Sequence, residues 1–243
     1  MTAGRSVKGC AISSGLVAVI GSTAELHRAT RLRRLPDLFE LRLDGLQPLS
    51  SKVEQIIAKL ARPLIITARH PLEGGQRNLS SSQRRQLLLR FLPQAAFVDV
   101  ELRSSTRLHS VLEAAKTLNT RRILSVHELR RTPPTRDLVR LAHLARKLSA
   151  DVFKIVTRTD TPAELARLID FFEDQKRYMP ISVMGVGKLG RASRVALMQC
   201  GSVLNYAHLG GRLIEGQFSL AEARRSSAGA RGAMEVESSR RGS

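Results

Sequence analysis

Short apolar runs and longer stretches of helical period alternate along this chain. The apolar runs are Leu16–Ile20, Leu38–Leu43, Leu64–Thr67, Ala96–Leu102, Arg122–Val126, Asp151–Val156, Ile181–Met184 and Val203–Tyr206. Each has the length and composition of a buried strand. Between them lie amphipathic segments at 23–34, 50–61, 80–92, 105–118, 135–149, 162–176 and 190–199. In the segment that begins at Asp137, apolar residues recur every three or four positions, which predicts a helix packed on a sheet. Thr161-Pro162-Ala163-Glu164 predicts a helix start, with a capping hydroxyl, a proline in the first turn and then an acid.

Strands that alternate with helices imply parallel βαβ units. Eight such units predict an α/β fold, a (β/α)8 TIM barrel in a single domain over residues 15–223. The open doubly wound sheet is the rival, but Ile20-Gly21-Ser22-Thr23 after the first strand is no GxGxxG turn. Residues 1–14 form an N-terminal extension, read as a short strand or hairpin. Residues 224–243, rich in Ser, Gly and Arg, read as a basic, disordered tail.

Several strand-like runs carry charge where packing alone would place none. In Phe39-Glu40-Leu41-Arg42-Leu43-Asp44 the period of two puts Glu40, Arg42 and Asp44 on one face. The helix-covered outside of a barrel must be apolar, so these charges point into the lumen. Arg69 and Glu73 after the third strand, Asp99 and Glu101 in the fourth, His127 in the fifth and Lys154 in the sixth repeat the pattern. Barrel enzymes build their sites at the carboxyl ends of strands. Burial disfavours an ammonium, and a neutral lysine amine can attack a ketone to form an imine. Histidine is the natural proton carrier near neutral pH, and a carboxylate behind it, Glu73 or Glu101, would fix its tautomer.

Charge adds a competing hypothesis. Of the 243 residues, 40 are Lys or Arg and 21 Asp or Glu, a net charge of +19. Such an excess points toward polyanions. Yet the basic residues are spread over most helices, as in Arg31-Leu32-Arg33-Arg34 and Gln83-Arg84-Arg85, which read as solvated faces. No nucleic-acid motif is present, and nine aromatic residues offer few stacking platforms. These features argue against a nucleic-acid partner. No run of 18 apolar residues predicts a membrane span. Two distant cysteines, Cys10 and Cys200, fit a reducing cytoplasm and no cysteine-based metal site.

The ordered set of motifs resembles type I 3-dehydroquinate dehydratase. The matching runs are Glu40-Leu-Arg42-Leu-Asp44, Thr67-Ala-Arg69 with Glu73-Gly74-Gly75, Asp99-Val-Glu101, Ser125-Val-His127, Val152-Phe-Lys154-Ile, Gly190-Arg-Ala-Ser193-Arg194, Gly201-Ser202 and Gly216-Gln217. The resemblance implies a homodimeric cytoplasmic barrel that needs no metal or organic cofactor. It implies loss of water from 3-dehydroquinate, its small-molecule substrate, to give 3-dehydroshikimate in the shikimate pathway. Lys154 would form the imine, His127 would act as general acid and base, and Glu73 would orient His127. Arg194 would hold the substrate carboxylate. Glu40, Arg42, Arg69 and Gln217 would contact its other polar groups, and Met184 would pack on its ring. The chain departs from the family pattern in a slightly longer run from Met184 to Arg194. It also has Leu213-Ile214-Glu215 where the family often has Ser-Ala-Pro, and Tyr206 where it often has Phe.

Overall fold

The computed structural model describes residues 14–211 and 214–227. Eight strands alternate with helices: β1 (Gly15–Ile20), α1 (Thr23–Ala29), β2 (Leu38–Arg42), α2 (Ser51–Ile57), β3 (Leu64–Thr67), α3 (Ser81–Phe91), β4 (Phe97–Glu101), α4 (His109–Thr117), β5 (Arg121–Glu128), α5 (Thr135–Lys147), β6 (Val152–Arg158), α6 (Pro162–Gln175), β7 (Ile181–Val186), α7 (Gly190–Gln199) and β8 (Leu204–His208). Helix starts follow the capping chemistry. The side chains of Ser22, Ser50, Ser80 and Thr161 each accept a backbone N–H of the first turn. Thr161 and Glu164 form the reciprocal capping box that the sequence predicts.

All strands are parallel, in the order β7-β6-β5-β4-β3-β2-β1-β8, with a short β9 (Phe218–Ser219) beyond β8. The row curls until β7 and β8 meet. There Val203 N–H donates to Ile181 O at 3.1 Å, Ser182 Oγ to Leu204 O at 2.6 Å and Val183 N–H to Ser202 Oγ at 3.1 Å. Buried hydroxyls therefore stand in for part of the backbone ladder at this seam. β9, which the sequence pattern did not reveal, pairs Phe218 with Ala207 and Ser219 with His208. It takes the carboxyl end of the β8 edge, while the amino end of β8 meets β7.

Two apolar clusters divide the interior. The larger fills the space between sheet and helices, with Phe39, Leu41, Phe91, Phe153, Phe171 and Phe172 among its members. The smaller lies within the lumen, where Val17, Ile65, Phe97, Ile123, Val152 and Leu204 build a floor. Charged side chains stand above that floor.

The ends bear on two expectations. Residues 1–13, and so nearly all of the expected N-terminal extension, lie outside the described residues, as do 228–243. Residues 224–227, expected to open a disordered tail, instead continue a helix over 220–227, in which Leu220 and Ala223 pack into the core. Among the described residues no helix is long and apolar enough to cross a membrane.

Candidate active site

A cavity of about 330 Å³ opens at the carboxyl ends of the strands. Glu40, Arg42, Arg69, Glu73, His127, Lys154, Met184, Arg194 and Gln217 all line it, so the structure brings together the nine residues to which the family resemblance gave a role, while Asp44, Asp99 and Glu101 do not line it. Gln76, Tyr206 and Ile214 join them.

Lys154 is the third residue of β6 and lies deeper in the lumen than a strand-end position. Its Nζ donates to Asp99 Oδ2 at 3.0 Å and to Glu40 Oε1 at 3.5 Å. The strand on either side of Lys154 is apolar, but its amine meets two carboxylates. Its nitrogen also stands 3.8 Å from the centre of the Tyr206 ring. Asp99 is held in place by Arg69, whose Nη1 and Nη2 lie 3.3 and 2.9 Å from its two oxygens. Burial works to raise the Asp99 pKa, but the Arg69 and Lys154 charges outweigh it and hold the carboxyl well below the usual range.

Arg69 was expected to contact substrate, yet its guanidinium is almost wholly occupied by protein. It reaches Asp99, Glu101 Oε1 at 3.3 Å and Ser125 Oγ at 2.8 Å, with Glu40 at 3.9 Å. Burial opposes its charge, but these three carboxylates more than compensate and raise its pKa. Glu101 in turn pairs with Arg84. Arg84, read from sequence as part of a solvated run, is buried on the inner face of α3, where its Nε also donates to Ala68 O at 2.6 Å. A chain of alternating charge thus runs from Arg84 through Glu101, Arg69 and Asp99 to Lys154. Glu40 sits beside it, accepting from Thr67 Oγ1 at 2.8 Å.

His127 faces Glu73. A single carboxylate oxygen, Oε2, lies 3.0 Å from both the backbone N–H and the Nδ1 of His127. Glu73 arrives there on a 3₁₀ turn, Pro71–Glu73, that ends at Gly74 with φ of +87°, a conformation suited to glycine. This geometry decides between the two candidate carboxylates. Glu101, which accepts from His70 N–H at 2.8 Å and pairs with two arginines, belongs to the Lys154 side. Burial lowers the His127 pKa well below its ordinary value, reinforced by the Arg69 and Lys154 charges. Burial likewise raises Glu73, to about 7. A neutral imidazole that donates Nδ1–H to Glu73 leaves Nε2 free as a base.

Arg42 is held by Asp44, at 3.0 Å through Nε and 2.8 Å through Nη2, and by Gly74 O at 2.9 Å. Arg194 differs from every other cation of the site. Its Nε donates to Gly185 O at 3.1 Å and its Nη1 to Tyr206 O at 3.0 Å, and among the described residues no carboxylate pairs with it. Burial alone lowers its pKa to about 10. Ser193 fixes the helix turn that carries it, since its Oγ accepts Gly185 N–H at 2.9 Å and donates to Gly190 O at 2.8 Å. A buried guanidinium without a counter-ion is a receptor for an anion, and its planar fork suits a carboxylate.

The segment bearing Gln217 crosses above this helix. Gly216, at φ +83°, lies so close that an added Cβ would come within 2.9 Å of Gly190 Cα. Ile214 lines the cavity, while Glu215 pairs with Arg158 at 3.4 Å. Leu213 lies outside the described residues.

The type I 3-dehydroquinase family model matches residues 17–227. The chain belongs to the type I 3-dehydroquinase family. The 3-dehydroquinate dehydratase of Pyrococcus abyssi is 34% identical over 189 residues, covering 77% of this chain and 85% of that protein. The enzyme of the same name from Methanothermobacter thermautotrophicus is 31% identical over 186 residues, covering 76% and 80%. Among solved structures, 3-dehydroquinate dehydratase from Geobacillus kaustophilus superposes with a TM-score of 0.80 at 22% identity, covering 90% of this chain and 91% of that one. The family's barrel is therefore the fold found here. Within the site, the sequence placed Asp99 in the lumen beside Glu101 but gave it no role, and it gave none to Arg84 or Tyr206; nothing in the sequence marked Arg84 as buried.

Proposed function

We propose that this dehydroquinase converts 3-dehydroquinate to 3-dehydroshikimate and water through an imine on Lys154, with His127 as the proton carrier. What chiefly supports this reading is the meeting of a buried lysine, a carboxylate-anchored histidine and an unpaired guanidinium in one cavity. The substrate's carboxylate takes Arg194, and its ketone carbon is attacked by Lys154 Nζ. The iminium draws electrons from the adjacent carbon, so His127 Nε2 removes a proton there. The imidazolium returns that proton to the departing hydroxyl. Water then hydrolyses the product imine and frees Lys154.

Arg42, Gln217 and Met184 line the path of the substrate ring. Glu40, Asp99 and Arg69 act from beneath, fixing the lysine. We take the enzyme to be a cytoplasmic homodimer, on the family resemblance and the scarcity of cysteine. Its basic surface would raise the local concentration of an anionic substrate.

The test is conversion of 3-dehydroquinate, followed by the ultraviolet absorbance of the conjugated enone product. The unaltered chain should turn over, His127→Ala should not, and undiminished turnover by His127→Ala would refute its role.

A further inference from the structure

Tyr206 carries a polar atom that the folded chain does not satisfy. Among the described residues only two buried side-chain oxygens lack a hydrogen bond, Glu54 Oε1 and the Tyr206 hydroxyl. Glu54 Oε1 is ion-paired with Arg90, which leaves the phenol alone. A buried, unpaired hydroxyl destabilises a fold, whereas phenylalanine would fill nearly the same space at no such cost. The penalty makes sense if the partner arrives with the ligand.

The position of Tyr206 says which ligand atom that is. It lines the cavity with Lys154, His127 and Arg194. Its backbone oxygen holds Arg194 Nη1, and its ring lies against Lys154 Nζ at 3.8 Å. A carbon bonded to that nitrogen must therefore form close to the ring, and the oxygen on that carbon comes within reach of its rim. Burial, reinforced by the Glu40 and Asp99 charges, keeps the phenol protonated, so it serves as a neutral donor and not as an acid.

We propose that the Tyr206 hydroxyl donates a hydrogen bond to the oxygen on the carbon that Lys154 attacks. This inference rests on the Lys154 reading above. In the addition step the nitrogen lone pair forms the N–C bond, and the carbonyl π pair moves onto oxygen. That oxygen takes a proton shed by the nitrogen to become the carbinolamine hydroxyl. A second proton, which His127 Nε2 takes from Lys154 before the attack and then gives up, lets it leave as water while the nitrogen lone pair forms the C=N bond. Tyr206 steadies the oxygen throughout and transfers no proton of its own. The same contact is available, in reverse order, when water attacks the product imine.

The test is Tyr206→Phe, which keeps the ring and its contact with Lys154. Borohydride is added at intervals to full-length protein mixed with saturating 3-dehydroquinate, and the reduced adduct is quantified by mass. Loss of one neutral hydrogen bond should slow adduct formation about tenfold. Removal of the orphan hydroxyl should at the same time raise the melting temperature of the free protein. Activity and stability would then move in opposite directions, which a structural role alone would not produce. Adduct formation within about twofold of the unaltered chain, or a lowered melting temperature, would overturn the inference and leave the Lys154 reading intact. Absence of any adduct in the unaltered chain would overturn both.

Discussion

Replacing Arg194 by methionine should make the free protein more stable and nearly useless as an enzyme. The guanidinium is buried and bonded only to two carbonyl oxygens, and burial alone lowers its pKa from the ordinary arginine range to about 10. At about 1.36 kcal/mol per pKa unit, the folded chain carries roughly 3 kcal/mol of unfavourable desolvation. The folded state binds this proton less tightly than the unfolded state. The cost is therefore present at every pH below about 10 and lifts only above it. Methionine removes the charge but leaves the carbonyls of Gly185 and Tyr206 without donors, at about 1 kcal/mol each. The balance is a gain of roughly 1 kcal/mol, or about 2–4 °C in Tm for a chain of this size. With substrate bound the sign reverses, because an anion is left buried without its partner, at about 3–5 kcal/mol. The expected loss in kcat/KM is about 10²- to 10³-fold, most of it in KM. Thermal melts of the free protein and steady-state assays with 3-dehydroquinate measure both. A Tm lowered by several degrees, or kcat/KM within about tenfold of the unaltered chain, would refute the view of Arg194 as a preformed anion receptor.

Two further outcomes follow from the charge arrangement. Glu73 must be ionised to accept Nδ1–H and leave His127 Nε2 free. With its pKa raised to about 7, that form dominates above this pH and is lost below it. The pair titrates as a unit, so log kcat/KM should fall with unit slope on the acid side of about pH 7. Glu73→Gln should abolish that limb and lower kcat about 10²-fold; a profile flat through neutrality would count against the pairing. Arg84→Met strips Glu101 of one of its two arginines and should destabilise the fold by about 3 kcal/mol. Arg85→Met, on the exposed side of the same helix, should leave the Tm unchanged, and equal effects from the two would contradict the buried charge chain.

The barrel could be read from the sequence because eight short apolar runs alternate with amphipathic segments, and the site could be read because charge at a period of two has no place on a helix-packed sheet face. The lumen was the one place left for Glu40, Arg42, His127 and Lys154. What escaped depended on the third dimension. Residue chemistry alone left Glu73 and Glu101 as equal candidates and only the family resemblance chose Glu73; in the fold the turn at Gly74 carries Glu73 across to β5, and Glu101 sits between Arg69 and Arg84. Arg84 looks like its solvated neighbours because its carboxylate partner lies on β4, 17 residues away. Arg69 fits a substrate-binding pattern, and only the convergence of three carboxylates on it shows how little of it remains free. β9 is two residues long, too short for a periodic signal. The orphan hydroxyl of Tyr206 is a property of its surroundings, which no local pattern encodes.

The central claim is that Lys154 carries the reaction as an imine. Borohydride reduction in the presence of 3-dehydroquinate, followed by mass mapping of the digested protein, tests it most directly. A single reduced adduct on the peptide containing Lys154, absent from Lys154→Met, is the predicted result. Turnover by the unaltered chain with no adduct, or with an adduct on another lysine, would contradict it.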